Sequence, residues 1–415
     1  MANKKKSSST NSKLQKKAVK TVKKAAKKNP KVFIIIVLVL ILIVGAGLAV
    51  YFLFLKDKLG GNTSSSSSEP TTSLVSSSSG ESHDEHAHYE PKLETPTGMS
   101  INFLELGNWY TGDSTYIKAG DVDILIDAGS RQGSAATIKE FVNKYCEDGK
   151  LEYVIATHAH QDHIAGFVGT KAAPGIFESY KIGTFIDFAL TNSETTLYSN
   201  YCTKRDAAIA SGDIEHHYTA AQCIAETDGA QKEYTINDSV KMTILDQKFY
   251  REKSSDENNY SVCCLFTHVD NHYLFTGDLE KEGEESLVEL NTLPHCQLFK
   301  GGHHGSKTSN TETLLSKITP EVVCICCCCG SDEYTKNVDN QFPTQTAINN
   351  IAKYTERIYA TTVSTNNDEK TYTSMNGNIC FKSENGKDYT VAGSNNSVIL
   401  KDTDWFKANR TWPSA

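Results

Sequence analysis

Acidic residues are missing from the beginning of the chain, where none precedes Asp57. The first 58 residues contain fourteen lysines and that single acid, a net charge of +13, whereas the whole 415-residue chain carries −8. The rest of the chain therefore carries −21. A main part this acidic argues against a protein that holds nucleic acid through its overall positive charge.

Two other signatures are absent. The sequence contains no GxSxG motif or comparable nucleophilic serine or cysteine motif, which argues against hydrolysis through a covalent intermediate on a side chain. It also contains no internal repeat. We therefore expect one large globular domain with ample chain for its core, and chemistry that is carried by other residue types.

The longest uncharged stretch is 32–55 (VFIIIVLVLILIVGAGLAVYFLFL), which is long enough as a helix to cross the roughly 30 Å hydrocarbon core of a membrane. A cleaved signal peptide is the alternative, but its apolar region is about 7 to 15 residues long, and no clear AxA site follows here. Residues 1–31 hold twelve lysines and no acid. The positive-inside rule therefore predicts a cytoplasmic basic tail, a single-pass anchor in the plasma membrane and an extracytoplasmic main part.

Residues 56–97 are rich in serine, with runs at 64–68 and 76–79, and they lack hydrophobic periodicity. This composition predicts a disordered, flexible stalk. The stalk contains His83, His86 and His88, which could hold a metal ion loosely. We favour a solvated linker and give these histidines no catalytic role, because nothing around them would fix their orientation.

From residue 98 onwards short apolar runs alternate with turns and helical stretches, in the order strand, strand, helix, strand. This order predicts an α/β domain that spans 98–415. The predicted helices are 135–149, 203–211 and 219–226, and the predicted strands are 101–106, 122–129, 151–157, 240–245, 261–269, 272–278, 296–301 and 321–329. The topology of 170–240 stays open, and from about 386 onwards the sequence predicts only a closing strand and a tail.

The strongest functional signal is THAHQDH at 157–163, which follows a predicted strand and brings together His158, His160, Asp162 and His163. Neutral imidazole and carboxylate are ligands that Zn²⁺ and related ions accept, and side chains two apart on an extended loop can meet one ion. A solvated histidine-rich turn is the alternative, but HxHxDH arises by chance in only about one chain in a thousand of this length. The motif therefore predicts a metal site.

Two further elements end predicted strands. TGD at 276–278 offers Asp278, which could bridge two ions, and KGGHHGS at 300–306 offers His303 or His304. Taken alone, TGD is usually only a turn, and a pair of adjacent histidines is usually a surface feature. Together with HxHxDH, and in this order, they predict one metal centre.

At these residues the sequence resembles the metallo-β-lactamase-fold hydrolases, and specifically the branch typified by the hydrolase domain of the competence protein ComEC. The motifs that carry the resemblance are NFLELG (102–107) with GDS (112–114), LIDAG (125–129), THAHQDHIAGF (157–167), ENNYSV (257–262), FTGDLEKEGEESL (275–287) and FKGGHHGSKTS (299–309). The resemblance implies an αββα sandwich with one or two metal ions, Zn²⁺ or Mn²⁺, at the edge between two sheets.

The resemblance also implies a role for each matching residue. His158 and His160 would hold one ion, and Asp162 and His163 the other. Asp278 would bridge the ions, and His303 or His304 would complete the second site. Behind them, Asp127 and Thr157 would orient the ligands.

The sequence departs from the pattern of the wider family in three places. The compact GxGDS turn is stretched to GNWYTGDS, and Phe342 stands before Pro343 where the branch commonly has a histidine. The separate histidine that many members of the superfamily use as a further ligand has only His216 and His217 as candidates. We favour an exposed pair over a ligand at that position.

The resulting interpretation is a membrane-anchored, extracytoplasmic, metal-dependent hydrolase, most simply a phosphodiesterase or nuclease that acts through a metal-activated water, with Asp162 and Asp278 central to catalysis. DNA and a cell-wall polymer are both candidate substrates, and a basic patch of Lys300, Lys307 and Lys317 could guide a phosphate backbone. The alternatives are a lactone or ester hydrolase of the same fold, and a non-enzymatic surface binding module with a structural metal.

Twelve cysteines all follow the apolar stretch, and six-residue CICCCC at 324–329 contains formal CxxC spacings. A zinc knuckle or redox motif is one interpretation. We favour buried cysteines that act as small apolar residues, because successive side chains of a strand point to opposite faces and cannot wrap one ion. Free thiols would also indicate a source with reducing surroundings.

Overall fold

The structure, a computed structural model, describes residues 88–414. The predicted basic tail (1–31), the predicted transmembrane helix (32–55) and most of the predicted stalk lie outside the described residues. Within 88–414, no helix is both long and apolar enough to cross a membrane.

Sixteen strands in the described residues form two sheets of eight. The strands are β1 (Met99–Phe103), β2 (Thr115–Ala119), β3 (Val122–Ile126), β4 (Lys150–Ile155), β5 (Lys181–Asp187), β6 (Ile214–Thr219), β7 (Glu233–Thr235), β8 (Val240–Leu245), β9 (Cys263–His268), β10 (Asn271–Phe275), β11 (Leu298–Lys300), β12 (Val322–Cys329), β13 (Ile358–Asn366), β14 (Thr371–Ser374), β15 (Ile379–Ser383) and β16 (Thr390–Gly393). The first sheet has the order β16-β15-β1-β2-β3-β4-β5-β6, and the second β14-β13-β12-β11-β10-β9-β8-β7.

Eight α-helices accompany the sheets in this part of the chain. They are α1 (Ser134–Val142), α2 (Gln161–Val168), α3 (Thr196–Ser211), α4 (Ala220–Ala225), α5 (Lys281–Leu290), α6 (Glu312–Ile318), α7 (Gln345–Ile351) and α8 (Asp404–Asn409). Side chains of α1 to α4 pack on the first sheet, and those of α5 to α8 pack on the second. The predicted α/β sandwich with the layers αββα is thereby confirmed.

Both sheets follow the same plan. Antiparallel strands lead into four parallel ones, β3 to β6 in the first sheet and β10 to β13 in the second. Neighbouring parallel strands end at the same edge of a sheet, so the loops that follow them lie side by side. The loops after β3, β4, β10, β11 and β12 all contribute to the site described below.

The strand β12 is buried on both faces, as all-parallel packing between two layers requires. Val322, Cys324 and Cys326 belong to the core between the sheets, whereas Ile325 and Cys327 belong to the core under α5 to α8. The cysteine run is therefore divided between two cores, and it is not gathered around one point. Burial raises the pKa of the Cys324 and Cys326 thiols.

Some elements differ from their predictions. The helix predicted to run to residue 149 ends at Val142, and in the turn before β4 the carboxylate of Asp148 accepts the Lys150 backbone N–H at 2.9 Å. The helix predicted at 203–211 starts seven residues earlier, about two turns, at Thr196, where the Thr195 hydroxyl caps it by accepting the Tyr198 N–H at 3.1 Å. The stretch after 386 supplies β16, the outermost strand of the first sheet.

The last residues of the predicted stalk are held against the domain. The carboxylate of Glu384, which follows β15, accepts the backbone N–H groups of Glu94 and Thr95, both at 3.1 Å. His268, at the end of β9, donates from Nε2 to the Thr97 carbonyl at 2.8 Å. These residues therefore contact both sheets and differ in this from the flexible stalk predicted as far as residue 97.

The burial of the cysteines leads to a testable count of reactive thiols. All twelve lie in the described residues and are free, and only Cys202 is partly exposed. Because reactivity requires an accessible thiolate, we expect about one thiol per chain to react with Ellman's reagent in the native protein, and about twelve after unfolding in guanidinium chloride. If most thiols failed to react after unfolding without a reductant, the cysteines would be paired in disulfides. That result would contradict the free thiols described here.

Candidate metal centre

The predicted ligands come from loops that follow strands of both sheets. His158 and His160 follow β4, and the first turn of α2 carries Asp162 and His163. From the second sheet, Asp278 follows β10, and the turn Gly302–Gly305 after β11 carries His303 and His304. The centre therefore lies where the strand ends of the two sheets meet.

Asp127, which follows β3, fixes the orientation of His163. The Asp127 carboxylate accepts the Thr157 backbone N–H and the Thr157 hydroxyl, both at 2.8 Å, and its Oδ2 lies 2.7 Å from His163 Nδ1. Because a carboxylate only accepts, His163 Nδ1 is the donor of this hydrogen bond. The other ring nitrogen, Nε2, is thereby turned toward Asp278 Oδ2, at 3.1 Å.

The orientation of His304 is fixed in the same way as that of His163, here by a group of the second sheet. Its Nδ1 donates to the backbone carbonyl of Cys326 at 2.8 Å. Its Nε2 lies 3.2 Å from Asp278 Oδ2 and 3.4 Å from Asp162 Oδ2. A left-handed backbone at His304, with φ 53°, produces the tight turn that aims the ring inward.

His303 is placed differently from its neighbour. Its Nε2 is 3.9 Å from Asp278 Oδ2, its Nδ1 is 3.3 Å from Glu280 Oε1, and its side chain is 19% exposed, against 1% for His304. Of the two histidines that the sequence left open, the structure thus brings His304 into the group of converging side chains and leaves His303 at its rim.

Several polar atoms in this group are buried without a hydrogen-bond partner in the described protein, among them His163 Nε2, His304 Nε2 and Asp278 Oδ1. An unsatisfied buried polar group costs about 1 to 3 kcal/mol, so lone pairs that converge in this way call for a shared partner. Imidazole nitrogens and carboxylate oxygens are the donor set that Zn²⁺ and Mn²⁺ accept. The residues present therefore fit a divalent metal ion.

The charges of the group agree with this fit. Burial opposes charge on the two imidazoles, yet Asp278 and Asp127 hold the pKa of His163 well above its usual value, and Asp278 and Asp113 do the same for His304. Conversely, the imidazoles hold the pKa of Asp278 well below its usual value despite burial. The carboxylates therefore favour a positive charge at the point on which the lone pairs of the imidazole nitrogens and carboxylate oxygens converge.

His158 and His160 form a second pair of facing nitrogens. His158 Nε2 lies 3.0 Å from His160 Nδ1, and His158 Nδ1 is within 3.4 Å of the hydroxyls of Thr157 and Ser261. Burial, and then the neighbouring imidazoles of His163 and His160, lower the pKa of His158 well below its usual value. A neutral His158 keeps a lone pair available for an ion.

The sequence did not reveal an ion pair beneath the centre. Lys300, the last residue of β11, is buried and pairs through Nζ with Asp113, while Nζ also lies 3.6 Å from Asp278 Oδ1. Asp113, His163, Asp278 and His304 all offer ligand-type atoms within 4.8 Å of one another. However, Asp113 faces the Nδ1 sides of His163 and His304, at 3.8 and 3.3 Å, so it lies behind the imidazoles.

A signal for Asp113 was present in the sequence, because it is the acid of the GDS motif. The partner was not recognisable, since only the packing of β11 under the first sheet buries Lys300. The predicted basic patch is therefore wrong in its first member, because Lys300 neutralises Asp113 and is inaccessible to a phosphate backbone. Lys307 is exposed and binds Asn340, and Lys317 is exposed on α6.

Two predicted histidines lie away from the centre, and one side chain that contacts the centre was not predicted. His216 is exposed, and His217 pairs through Nε2 with Asp187 Oδ1 at 3.0 Å. Neither is among the converging side chains. Tyr334, in the loop after β12, was not predicted and donates its hydroxyl to Asp162.

Comparison with known proteins agrees with this geometry. Residues 107–176 match the family model of the metallo-beta-lactamase superfamily. The chain is 28% identical over 236 residues to Recombination protein 2 of Haemophilus influenzae, which covers 56% of this chain and 25% of that protein. It is 22% identical over 237 residues to Competence protein ComA of Neisseria gonorrhoeae, which covers 56% of this chain and 28% of that protein. The matches thus span about a quarter of each relative.

A solved structure similar to this chain is the metallo-beta-lactamase fold protein YhfI from Bacillus subtilis, at 10% identity and a TM-score of 0.37, over 64% of this chain and 96% of that one. The family match and the two named relatives confirm the resemblance to the metallo-β-lactamase superfamily and to competence proteins of the ComEC type. The chain is accordingly similar to the metallo-beta-lactamase superfamily over residues 107–176 and has a candidate metal site.

We expect Lys300→Met to destabilise the fold by about 3 to 5 kcal/mol, because it leaves the buried carboxylate of Asp113 unpaired. Urea unfolding followed by circular dichroism measures this. The matched control, Lys307→Met, should change stability by less than about 0.5 kcal/mol, since Lys307 is exposed. The double variant Lys300→Met/Asp113→Asn should recover part of the loss, and a Lys300→Met protein as stable as wild type would contradict the pair's importance.

We expect His304→Ala to weaken Zn²⁺ binding by more than about 100-fold, since even groups behind a ligand typically account for 10- to 100-fold. His303→Ala is the control, and we expect it to change the affinity less than about threefold, because its ring lies at the rim. Isothermal titration of the metal-stripped proteins gives both affinities. Equal losses in the two variants would refute the distinction.

Proposed function

We propose that this protein is a metal-dependent phosphodiesterase, and within that class a nuclease, whose hydrolase domain is held outside the cytoplasm by a single membrane anchor. The observation that carries the proposal is the buried group of unpartnered imidazole nitrogens and carboxylate oxygens at the joint edge of the two sheets. A purely structural ion needs no accessible side, whereas this group lies under the half-exposed Tyr334.

In this proposal the ligands divide into two sets around Asp278. Asp162, His163 and His304 would hold one ion, His158 and His160 would hold the other, and Asp278 would contribute to both sets. A bound divalent ion lowers the pKa of a water molecule toward neutrality and offsets charge that develops on the phosphoryl group.

The other residues keep this arrangement in place. Asp127 holds His163 and Thr157 in one orientation, and the Cys326 carbonyl holds His304. Lys300 keeps Asp113 neutralised behind both imidazoles. Preorganisation of this kind means that little rearrangement is needed when substrate arrives.

Two considerations favour a phosphodiester over a lactone or simple ester. The relatives are named for recombination and competence, processes whose material is DNA. Phosphodiesters are also stable linkages whose hydrolysis gains most from charge neutralisation by metal ions. A cell-wall polymer with phosphodiester links remains the other substrate of the same chemistry.

The proposed location rests on the sequence. The apolar segment 32–55 would cross the plasma membrane once, with the basic tail 1–31 in the cytoplasm. The serine-rich segment that follows would separate the membrane from the hydrolase domain, which we place from about residue 91 to the end.

The test is hydrolysis of bis(p-nitrophenyl) phosphate by the full-length protein in detergent, loaded with Mn²⁺ or Zn²⁺. We expect Asp162→Ala to lower kcat/KM by about 100-fold or more, because it removes a carboxylate that would hold a metal ion. The control is Asp368→Ala, an exposed acid outside the centre, for which we expect no change. Release of nitrophenol is followed by absorbance.

Failure would be informative. If the wild-type protein binds metal but releases no nitrophenol, the phosphodiesterase proposal falls and lactone or ester substrates take its place. If Asp162→Ala lowers the melting temperature as strongly as removal of the metal does, the ion has a structural role, and the non-enzymatic binding module becomes the better description.

A further inference from the structure

An exposed aromatic ring stands at the open side of the metal centre. Tyr334 lies in the loop between β12 and α7, and 53% of its surface is accessible. Its hydroxyl nevertheless donates to Asp162 Oδ2, so the ring borders the proposed ligands directly. Tyrosine rings are found at binding surfaces because they combine a large apolar face with a polar tip.

The ring is held in place from several directions. Its hydroxyl is tied to Asp162, and its face packs against Phe342 at 5.5 Å between ring centroids and 45° between planes. The preceding residue, Glu333, pairs with Arg131 and accepts the Thr111 backbone N–H at 2.8 Å. A ring fixed before binding loses little conformational freedom when a ligand stacks on it.

Phe342 connects this ring to the metal centre. Its ring centroid lies 5.6 Å from that of His303 and 5.8 Å from that of His304. Arg410 anchors the loop around it by donating to the carbonyls of Gln341 and Pro343, at 2.8 and 3.0 Å. Phe342 and Tyr334 thus form a continuous aromatic wall that starts at the ligand imidazoles and ends in solvent.

We propose that this aromatic wall is a subsite for a nucleobase next to the scissile phosphodiester, and that the substrate is single-stranded nucleic acid. The inference rests on the proposed function and names its substrate class. Stacking of a base on an aromatic side chain is tolerant of sequence and contributes about tenfold in affinity per base.

Shape favours this occupant, and stacking can supply affinity that the overall charge of the chain does not. The chain beyond residue 58 carries −21, so its overall field repels a polyanion, whereas stacking on a neutral ring requires no positive field. Base faces are accessible in a single strand and hidden in a duplex. The polyol phosphates of cell-wall polymers have no planar ring, so an aromatic wall at the centre would offer them nothing to stack on.

The experiment compares two strands of equal length, a single-stranded oligothymidylate and an abasic deoxyribose-phosphate strand, both cut by the full-length protein with Mn²⁺. We expect kcat/KM for the thymidylate to exceed that for the abasic strand by about tenfold or more. In Tyr334→Leu this ratio should fall to about one, and in Tyr334→Trp, which keeps a ring, it should persist.

Tyr354→Leu is the matched control, since that tyrosine follows α7, donates its hydroxyl to Glu312 at the start of α6 and lies outside the aromatic wall. Its ratio should equal that of the wild type. Anisotropy of a labelled oligothymidylate in the presence of chelator gives a second readout, in which Tyr334→Leu should bind about tenfold more weakly. This binding measurement decides the question even where a variant loses turnover.

The outcomes separate the two proposals. Hydrolysis of neither strand, with metal bound, would overturn the phosphodiesterase itself. Equal hydrolysis of both strands by the wild type, or a base preference that survives in Tyr334→Leu, would overturn the nucleobase subsite and leave the phosphodiesterase standing. Should Tyr334→Leu fail to fold, Phe342→Leu provides the same test, because it removes the packing that holds the ring.

Discussion

The structure depends on the burial of four carboxylates at one place, the joint edge of its two sheets. Asp113, Asp127, Asp162 and Asp278 are all at most 8% exposed, and the one buried lysine among the described residues, Lys300, lies beside them. With neutral histidines, these five groups sum to a formal charge of −3. Buried charge of this size is unstable unless it is compensated, so the hydrogen bonds of Thr157, the positions of the imidazoles and the fit to a divalent ion all follow from it.

Neither sheet could build this centre alone. The first sheet supplies Asp127, Asp162 and His163, and the second supplies Asp278 and His304. The sheets meet through an apolar core in which Phe103 of β1 stacks on Phe275 of β10, with centroids 6.1 Å apart. Because Phe275 lies three residues before Asp278, the packing that drives folding also sets the distance between the two halves of the centre.

The sequence was most informative where the signal is local. HxHxDH occupies six consecutive residues, and its neighbours in space are its neighbours in the chain, so the spacing alone predicted a metal site. The strand β8 (Val240–Leu245) was predicted with its observed bounds for the same reason. By contrast β14, whose TYTS sequence is partly exposed, has too little apolar pattern to reveal a strand.

What the sequence could not reveal depends on long-range packing. Lys300 and Asp113 are 187 positions apart, and nothing in either local pattern indicates that the lysine is buried. The choice between His303 and His304 depends on a left-handed turn and on the Cys326 carbonyl, a group on the neighbouring strand. No sequence pattern indicated Tyr334. Its position depends on the conformation of its loop, which the contacts of Glu333 and Arg410 hold against other parts of the domain.

The two edges of each imidazole explain why these distant residues matter. In both His163 and His304, Nδ1 is engaged by a fixed acceptor, and Nε2 is therefore directed to the same gap beside Asp278. A ring whose Nδ1 had no such partner could rotate or change its tautomer, and the lone pairs would no longer converge. Asp113 lies on the Nδ1 side of both rings, where its charge would compete for those hydrogens if Lys300 did not neutralise it. The buried ion pair is thus the condition under which a site this rich in carboxylates can keep its nitrogens directed at one point.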